Sequence, residues 1–197
     1  MRILRACDRK ITSWKNGGGE TTEICVSPEG AGLGDFDWRV STAKVESDGP
    51  FSCFSGVDRT LTVLSGHGIE LAVAGAPSVS LTRSSPPYSF SGDAPTWARL
   101  PDGPILDLNV MARRARYRHS VTRLSLNAPR SLAVQANQWM LICTGGELRI
   151  ETGGGEALLS PLDAAFVEQA GTSVWLHPDR AVTAYLVQMT KCGALDV

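Results

Sequence analysis

Histidine is scarce in this 197-residue chain: His67, His119 and His177 are the only three, and no two sit at neighbouring same-face positions of a strand. A first-row divalent metal is usually gripped by several imidazoles and a carboxylate, so neither metal ligands nor a metal cofactor are expected. The five cysteines (Cys7, Cys25, Cys53, Cys143, Cys192) are odd in number and widely spread, with no close pair for zinc or redox work. They read as small apolar fillers in a reducing compartment, which points to the cytoplasm. An excess of one charge is also missing, since 19 Lys and Arg face 20 Asp and Glu. No global field therefore draws in nucleic acid or an anionic membrane. No apolar run approaches the roughly 18 residues of a membrane span. There is no GxSxG elbow, and no catalytic residue is assigned.

Short alternating runs separated by Gly, Pro, Ser and Asp recur along the chain, while helical periodicity is nearly absent. The pattern predicts strands over Thr21 to Val26, Trp38 to Lys44, Thr60 to Leu64, Gly68 to Val73, Ile105 to Ala112, Tyr117 to Leu126, Trp139 to Cys143, Leu148 to Glu151 and Val182 to Gln188. A turn or two of helix fits only near Ala6 to Ile11 or Pro161 to Ala165. "TVLSGHGIEL" and "MLICTGGELRI" each put an apolar strand before a glycine turn and a second strand, with Leu81 and Leu159 following at similar distances. Two similar β units in one chain is the simplest reading: an N-terminal barrel over 1–112 and a C-terminal barrel over 113–197. The all-β architecture that fits is the double cupin, or bicupin, of two antiparallel jelly-roll barrels; a single larger β-sandwich fits the same pattern.

Polar residues inside the strands are the lead to function. Alternation puts Thr21, Glu23 and Cys25 on one face against Thr22, Ile24 and Val26, pairs Arg39 with Ser41, and pairs Asp107 with Asn109 against Leu106, Leu108 and Val110. Arg59 shares a face with Leu61 and Val63. Charges beside apolar walls are costly unless they are paired or serve a ligand. An arginine fork suits a carboxylate, and Glu23 or Asp107 accepts from a nitrogen group, so a small polar guest carrying both is one reading. Mutual salt bridges closing the barrel are the other. The glycines of "WKNGGGETTEI" allow a bend whose N–H groups line a cavity entrance and bring Lys15 and Asn16 beside Glu23; a plain turn between strands is the alternative. The stripe Arg114, Arg116 and Arg118 reads as a solvated face or a clamp.

"WKNGGGETTEI", "WRVSTAKVESDGPFSCFSGVDRTLTVLSG", "FSGD" and "DGPILDLNVMARR" together resemble the HutD/Ves family, associated with bacterial histidine utilisation. The resemblance spans about Ser13 to Arg114 and implies an RmlC-like double-cupin fold, often dimeric, with no established catalytic activity. Its motif falls on Trp14, Asn16, Gly17, Gly18, Gly19, Thr21 and Glu23, then on Trp38, Arg39, Ser41, Phe51, Ser52, Phe54, Asp58 and Arg59, then on Asp107, Asn109 and Met111. Leu108 stands where an aromatic is expected, which bears on the width of the cavity wall. The expected ligand-binding residues are Trp14, Lys15, Asn16, Gly18, Thr21, Glu23, Arg39, Ser41, Phe54, Arg59, Asp107 and Asn109. The expected function is non-catalytic, metal-free binding of a carboxylate-bearing intermediate such as urocanate, formylglutamate or formiminoglutamate, by a cytoplasmic homodimer without nucleic-acid or membrane partners. The alternative is an isomerase or hydrolase with Glu23 or Asp107 as general base.

Overall fold

The computed structural model describes residues 1–15 and 17–193. After β1 (Arg2–Leu4) and a 3-10 turn at Ala6–Asp8 come β2 (Ile11–Ser13), β3 (Gly19–Ser27), β4 (Trp38–Val45), β5 (Gly49–Phe51), β6 (Val57–Ser65), β7 (Ile69–Val73), β8 (Val79–Leu81), β9 (Tyr88–Ser91), β10 (Thr96–Arg99) and β11 (Ile105–Arg113). Then follow β12 (Tyr117–Leu126), β13 (Arg130–Val134), β14 (Gln138–Cys143), β15 (Leu148–Thr152), β16 (Gly155–Leu159), β17 (Ala164–Val167), β18 (Thr172–Pro178) and β19 (Val182–Lys191). Among the described residues there is no α-helix, and no helix is long and apolar enough to cross a membrane.

By its contacts the chain divides into two compact units, one over Lys10–Tyr117 and one joining Met1–Arg9 to the residues from Arg118 onward. The division falls five residues later than the sequence pattern suggests. The first nine residues also go with the other unit, because β1 pairs with β17 in the register Arg2↔Phe166. Nothing in a three-residue strand announces so distant a partner.

In the unit over Lys10–Tyr117, a six-stranded sheet β2-β3-β4-β11-β6-β9 accompanies a four-stranded sheet β5-β10-β7-β8. Strict alternation builds the four-stranded sheet: Thr96 and Ala98 are buried, while Trp97 and Arg99 between them are exposed. Val45, Leu61, Val63, Ile69, Leu71, Leu81 and Ile105 from both sheets make one core. The other unit has sheets β1-β17-β14-β19-β12 and β13-β18-β15-β16, again with a shared core.

The order β4-β11-β6-β9 thus returns as β12-β19-β14-β17, and β5-β10-β7-β8 as β13-β18-β15-β16. The two leucines marked by the repeat occupy equivalent places, Leu81 opposite Ile69 and Leu159 opposite Leu148. At the first turn glycine is compulsory, because a Cβ on Gly66 would lie 2.6 Å from the Pro104 carbonyl oxygen.

Candidate functional site

The ladder registers of β3, β4, β11 and β6 stack the polar residues in rows across one face. Thr21, Ala43, Asp107 and Val63 make the first, and Glu23, Ser41, Asn109 and Leu61 the second. Val26, Arg39, Met111 and Arg59 make the third. Simple alternation fails in β3, where the register shifts between Glu23 and Cys25. That bulge puts Val26, rather than Cys25, on the Arg39 face, where Val26 packs with Phe36, Val57 and Met111.

These rows line a cavity of about 660 Å³, within the range of small-molecule sites. Ten of the twelve expected residues line it: Trp14, Lys15, Thr21, Glu23, Arg39, Ser41, Phe54, Arg59, Asp107 and Asn109. Asn16 lies outside the described residues. Gly18 is not part of the lining; it is buried, and its carbonyl accepts from the Glu46 amide at 2.9 Å. Leu108 does not shape the wall either. It sits between Thr42 and Thr62 on the opposite face of the sheet from Asp107 and Asn109. Phe51, Ser52 and Met111 also line the cavity, and all three stand in the segments that carry the resemblance.

The glycine loop is a hairpin closure rather than a nest of free amides. The Gly17 amide donates to the Trp14 carbonyl at 3.0 Å, and the Trp14 amide to the Gly19 carbonyl at 2.9 Å. A Cβ on Gly19 would stand 2.2 Å from the Lys44 carbonyl oxygen and 3.2 Å from the Trp14 ring. Only glycine lets β3 start there with the indole laid over it, and the Trp14 Nε1 then donates to Thr21 Oγ1 at 2.7 Å.

Both charge readings hold, each for different residues. Arg39 Nε donates to Glu23 Oε2 at 2.8 Å, so this pair is matched inside the protein. Arg59 and Asp107 are not joined by an ion pair. Arg59 is buried with its guanidinium carbon 5.0, 5.2 and 5.8 Å from the ring centroids of Phe51, Phe90 and Phe54. Its Nη1 donates to the Ser52 carbonyl at 3.2 Å, while Nε is buried with no partner. Burial lowers its pKa to about 10 against the opposing pull of Asp107, so it stays cationic at neutral pH. Asp107 is 1% exposed, and neither carboxylate oxygen has a hydrogen-bond partner. Burial pushes its pKa up to about 7, against the pull of Arg59; the Ala43 amide across the ladder also lowers it, though outside hydrogen-bond geometry. Asn109 Oδ1 is likewise buried and unpartnered.

The other unit fills the ladder positions of Arg59, Asn109 and Asp107 with the apolar Trp139, Leu186 and Ala184. Where Arg59, Leu61 and Val63 face Met111, Asn109 and Asp107, there Trp139, Leu141 and Cys143 face Gln188, Leu186 and Ala184. Trp139, Leu141, Cys143, Ala184 and Leu186 belong to its core.

Two arginines of the stripe, and Arg113 before it, are put to structural use, while Arg118 is exposed. Arg113 Nε donates to the Phe36 carbonyl at 2.7 Å, Arg114 bridges Asp58 and Asp93, and Arg116 pairs with Asp37. His67 pairs with exposed Asp102, and His177 faces Glu151. Among the described residues, no three His, Cys, Asp or Glu side chains group as a metal site would require.

The HutD family pattern matches residues 6–184. The chain belongs to the HutD family. A protein of Pseudomonas putida, described as an uncharacterized 21.2 kDa protein in the hutC 3′ region, is 42% identical over 118 residues, 60% of this chain and 61% of its own. The chain thus spans about three fifths of the length of that relative. The crystal structure of a conserved protein of unknown function from Pseudomonas aeruginosa PAO1 is 32% identical with a TM-score of 0.90, covering 96% of this chain and 98% of that one. HutD from Pseudomonas fluorescens SBW25, solved in a formate condition, is 30% identical with a TM-score of 0.84, covering 98% and 99%. The crystal structures of AerE from Microcystis aeruginosa, 10% identical with a TM-score of 0.67, and of protein Ylba from E. coli, 12% identical with a TM-score of 0.69, are similar in fold alone.

Proposed function

We propose that the protein is a non-catalytic, metal-free binding protein for a small carboxylate-bearing metabolite of histidine utilisation, such as urocanate, formylglutamate or formiminoglutamate. The observation that carries this is Arg59: a buried, charged guanidinium at the cavity wall, held by aromatic rings and left with an unserved donor. A guest carboxylate is the acceptor it suits. Trp14 and Phe54 supply apolar walls, and Asp107 and Asn109 offer acceptors to the other end of the guest. Membership of the family and the hutC-region relative support the pathway. The repeated strand order supports a double-cupin reading of the fold. With this goes the expectation of a cytoplasmic homodimer, which sedimentation at twice the chain mass tests.

Calorimetric titration against the three compounds is the direct experiment. Binding of at least one is expected, weakened by about 1.5–3 kcal/mol in Arg59→Ala, the usual range for hydrogen bonds to a charged group. Absence of heat and of thermal shift with all three would remove the proposal.

One observation favours an enzyme instead. A carboxyl pushed up to about 7 has the basicity wanted of a general base at neutral pH. Of the two carboxylates raised by the sequence, this selects Asp107, since Glu23 is taken up by Arg39. Incubation with the same compounds, followed by ultraviolet absorbance and mass, decides: turnover lost in Asp107→Asn supports catalysis, and unchanged compounds dismiss it.

A further inference from the structure

Three acceptor atoms in the cavity wall are served by no group of the protein: both carboxylate oxygens of Asp107 and Oδ1 of Asn109. Asp107 is 1% exposed and Asn109 is 9% exposed, and they are alternate residues of β11, so they point to the same side. Leaving a buried acceptor unserved is costly, and a bare carboxylate is costlier still. Evolution of an apolar core would remove such atoms, as the other unit does with Leu186 and Ala184 at the same ladder positions.

Charge narrows what serves them. The other charged groups lining the cavity are Glu23 of β3, Arg39 of β4 and Arg59 of β6, beside Asp107 on the same sheet, and Lys15 of the loop before β3. Glu23 and Arg39 neutralise each other, and Lys15 is exposed to water. Arg59 is thus the cation that holds Asp107 down. Once a guest carboxylate occupies Arg59, that help is cancelled and Asp107 faces a low-dielectric wall alone. Asp107 then either takes up a proton or is matched by a positive charge on the guest, and the second keeps both of its oxygens as acceptors.

We propose that Asp107 and Asn109 form a specificity-determining subsite for a cationic nitrogen group, an amidinium, guanidinium or primary ammonium, carried by the same guest whose carboxylate meets Arg59. This rests on the reading of the cavity as a small-molecule site and narrows its guest to a zwitterion. A planar amidinium or guanidinium gives two parallel N–H bonds to the carboxylate and has a further N–H for Asn109 Oδ1. The Asp107 and Arg59 rows lie four residues apart along β11, about 13 Å between main chains at the strand rise, a span shared by the two side chains and a guest's short carbon chain.

The test uses isosteres that differ in charge: 4-guanidinobutanoate against 4-ureidobutanoate, and 3-guanidinopropanoate against 3-ureidopropanoate. Titrated at pH 8, the guanidino member of at least one pair is expected to bind at least tenfold more tightly, and Asp107→Asn is expected to erase that preference. A second readout needs no variant. At pH 6.5, in buffers of different ionisation heat, guanidino binding to the wild-type protein should release a proton from Asp107, while ureido binding should not.

Equal or tighter binding of the ureido compounds, or a preference that survives Asp107→Asn, overturns the subsite; the former would show a protonated Asp107 donating to a guest carbonyl. If none of the four probes binds, tighter binding of urocanate or formylglutamate than of formiminoglutamate, itself an amidinium, makes the cationic subsite fall while the wider reading stands, and the opposite preference supports the subsite. If nothing binds at all, both fall.

Discussion

Asp107 and Arg59 are opposite charges buried at one cavity, and neither is satisfied by the other. An arginine tolerates this better than a carboxylate does, because its flat, weakly hydrated guanidinium gains from aromatic faces, at about 0.5–2 kcal/mol for each such contact. Asp107 has no such compensation and titrates instead. Its native pKa of about 7 lies above the roughly 3.9 of an unfolded aspartate, so between those values the native state holds a proton that the unfolded state lacks. The sign follows: this group's contribution to stability falls as pH rises from about 4 to about 7, then levels off. Asp107→Asn cannot ionise. In urea unfolding, the variant should therefore gain on the wild type between pH 5 and pH 8 by on the order of a few kcal/mol. A difference that does not move with pH would mean the carboxyl is ionised throughout.

Whole strands were easier to read than their neighbours. β12 is found over the same span, Tyr117–Leu126, that alternation marks, and β4, β11 and β14 extend the marked runs by a residue. The three-residue strands β1, β2, β5 and β8 are too short to show a period, and the partners of β1 and β5 are also distant in sequence. The bulge in β3 was hidden for a related reason. Glu23, Ile24, Cys25 and Val26 would all suit an unbroken strand, and only the pairing with β4 decides where the extra residue goes. The hairpin of β2 and β3 makes a sharp prediction. Gly19→Ala should cost about 1–3 kcal/mol in urea unfolding, the scale of overpacking, because its Cβ meets main chain that cannot yield. At Gly17, where φ is 72° but no atom lies within 4 Å of a Cβ, alanine should cost less. The reverse order would mean that the turn, not the close approach, requires the glycines.

Across the whole molecule, one strand order is used twice for different ends. Every residue lining the cavity comes from the Lys10–Tyr117 unit, while in the other unit the equivalent ladder positions are filled by Trp139, Leu141 and Leu186. Stability and binding should therefore separate. Leu141→Ala, in the filled core, is expected to lose about 2–5 kcal/mol of stability in urea. Well below its unfolding transition, its affinity for whichever of urocanate, formylglutamate or formiminoglutamate binds should stay within twofold of wild type. A larger loss of affinity would mean that the second core sets the geometry of the first cavity.

The all-β class, the doubling of a unit and the inward polar rows are written locally, in period-two alternation and glycine turns, because a strand's two faces are fixed by its own order of residues. The matching of Glu23 with Arg39, the isolation of Asp107 from Arg59, the aromatic setting of Arg59 and the pairing of β1 with β17 are not local properties. Each depends on which strand lies beside which, and in what register. Those choices are made by burying apolar area across residues far apart in the chain, so they exist only once the sheets have closed.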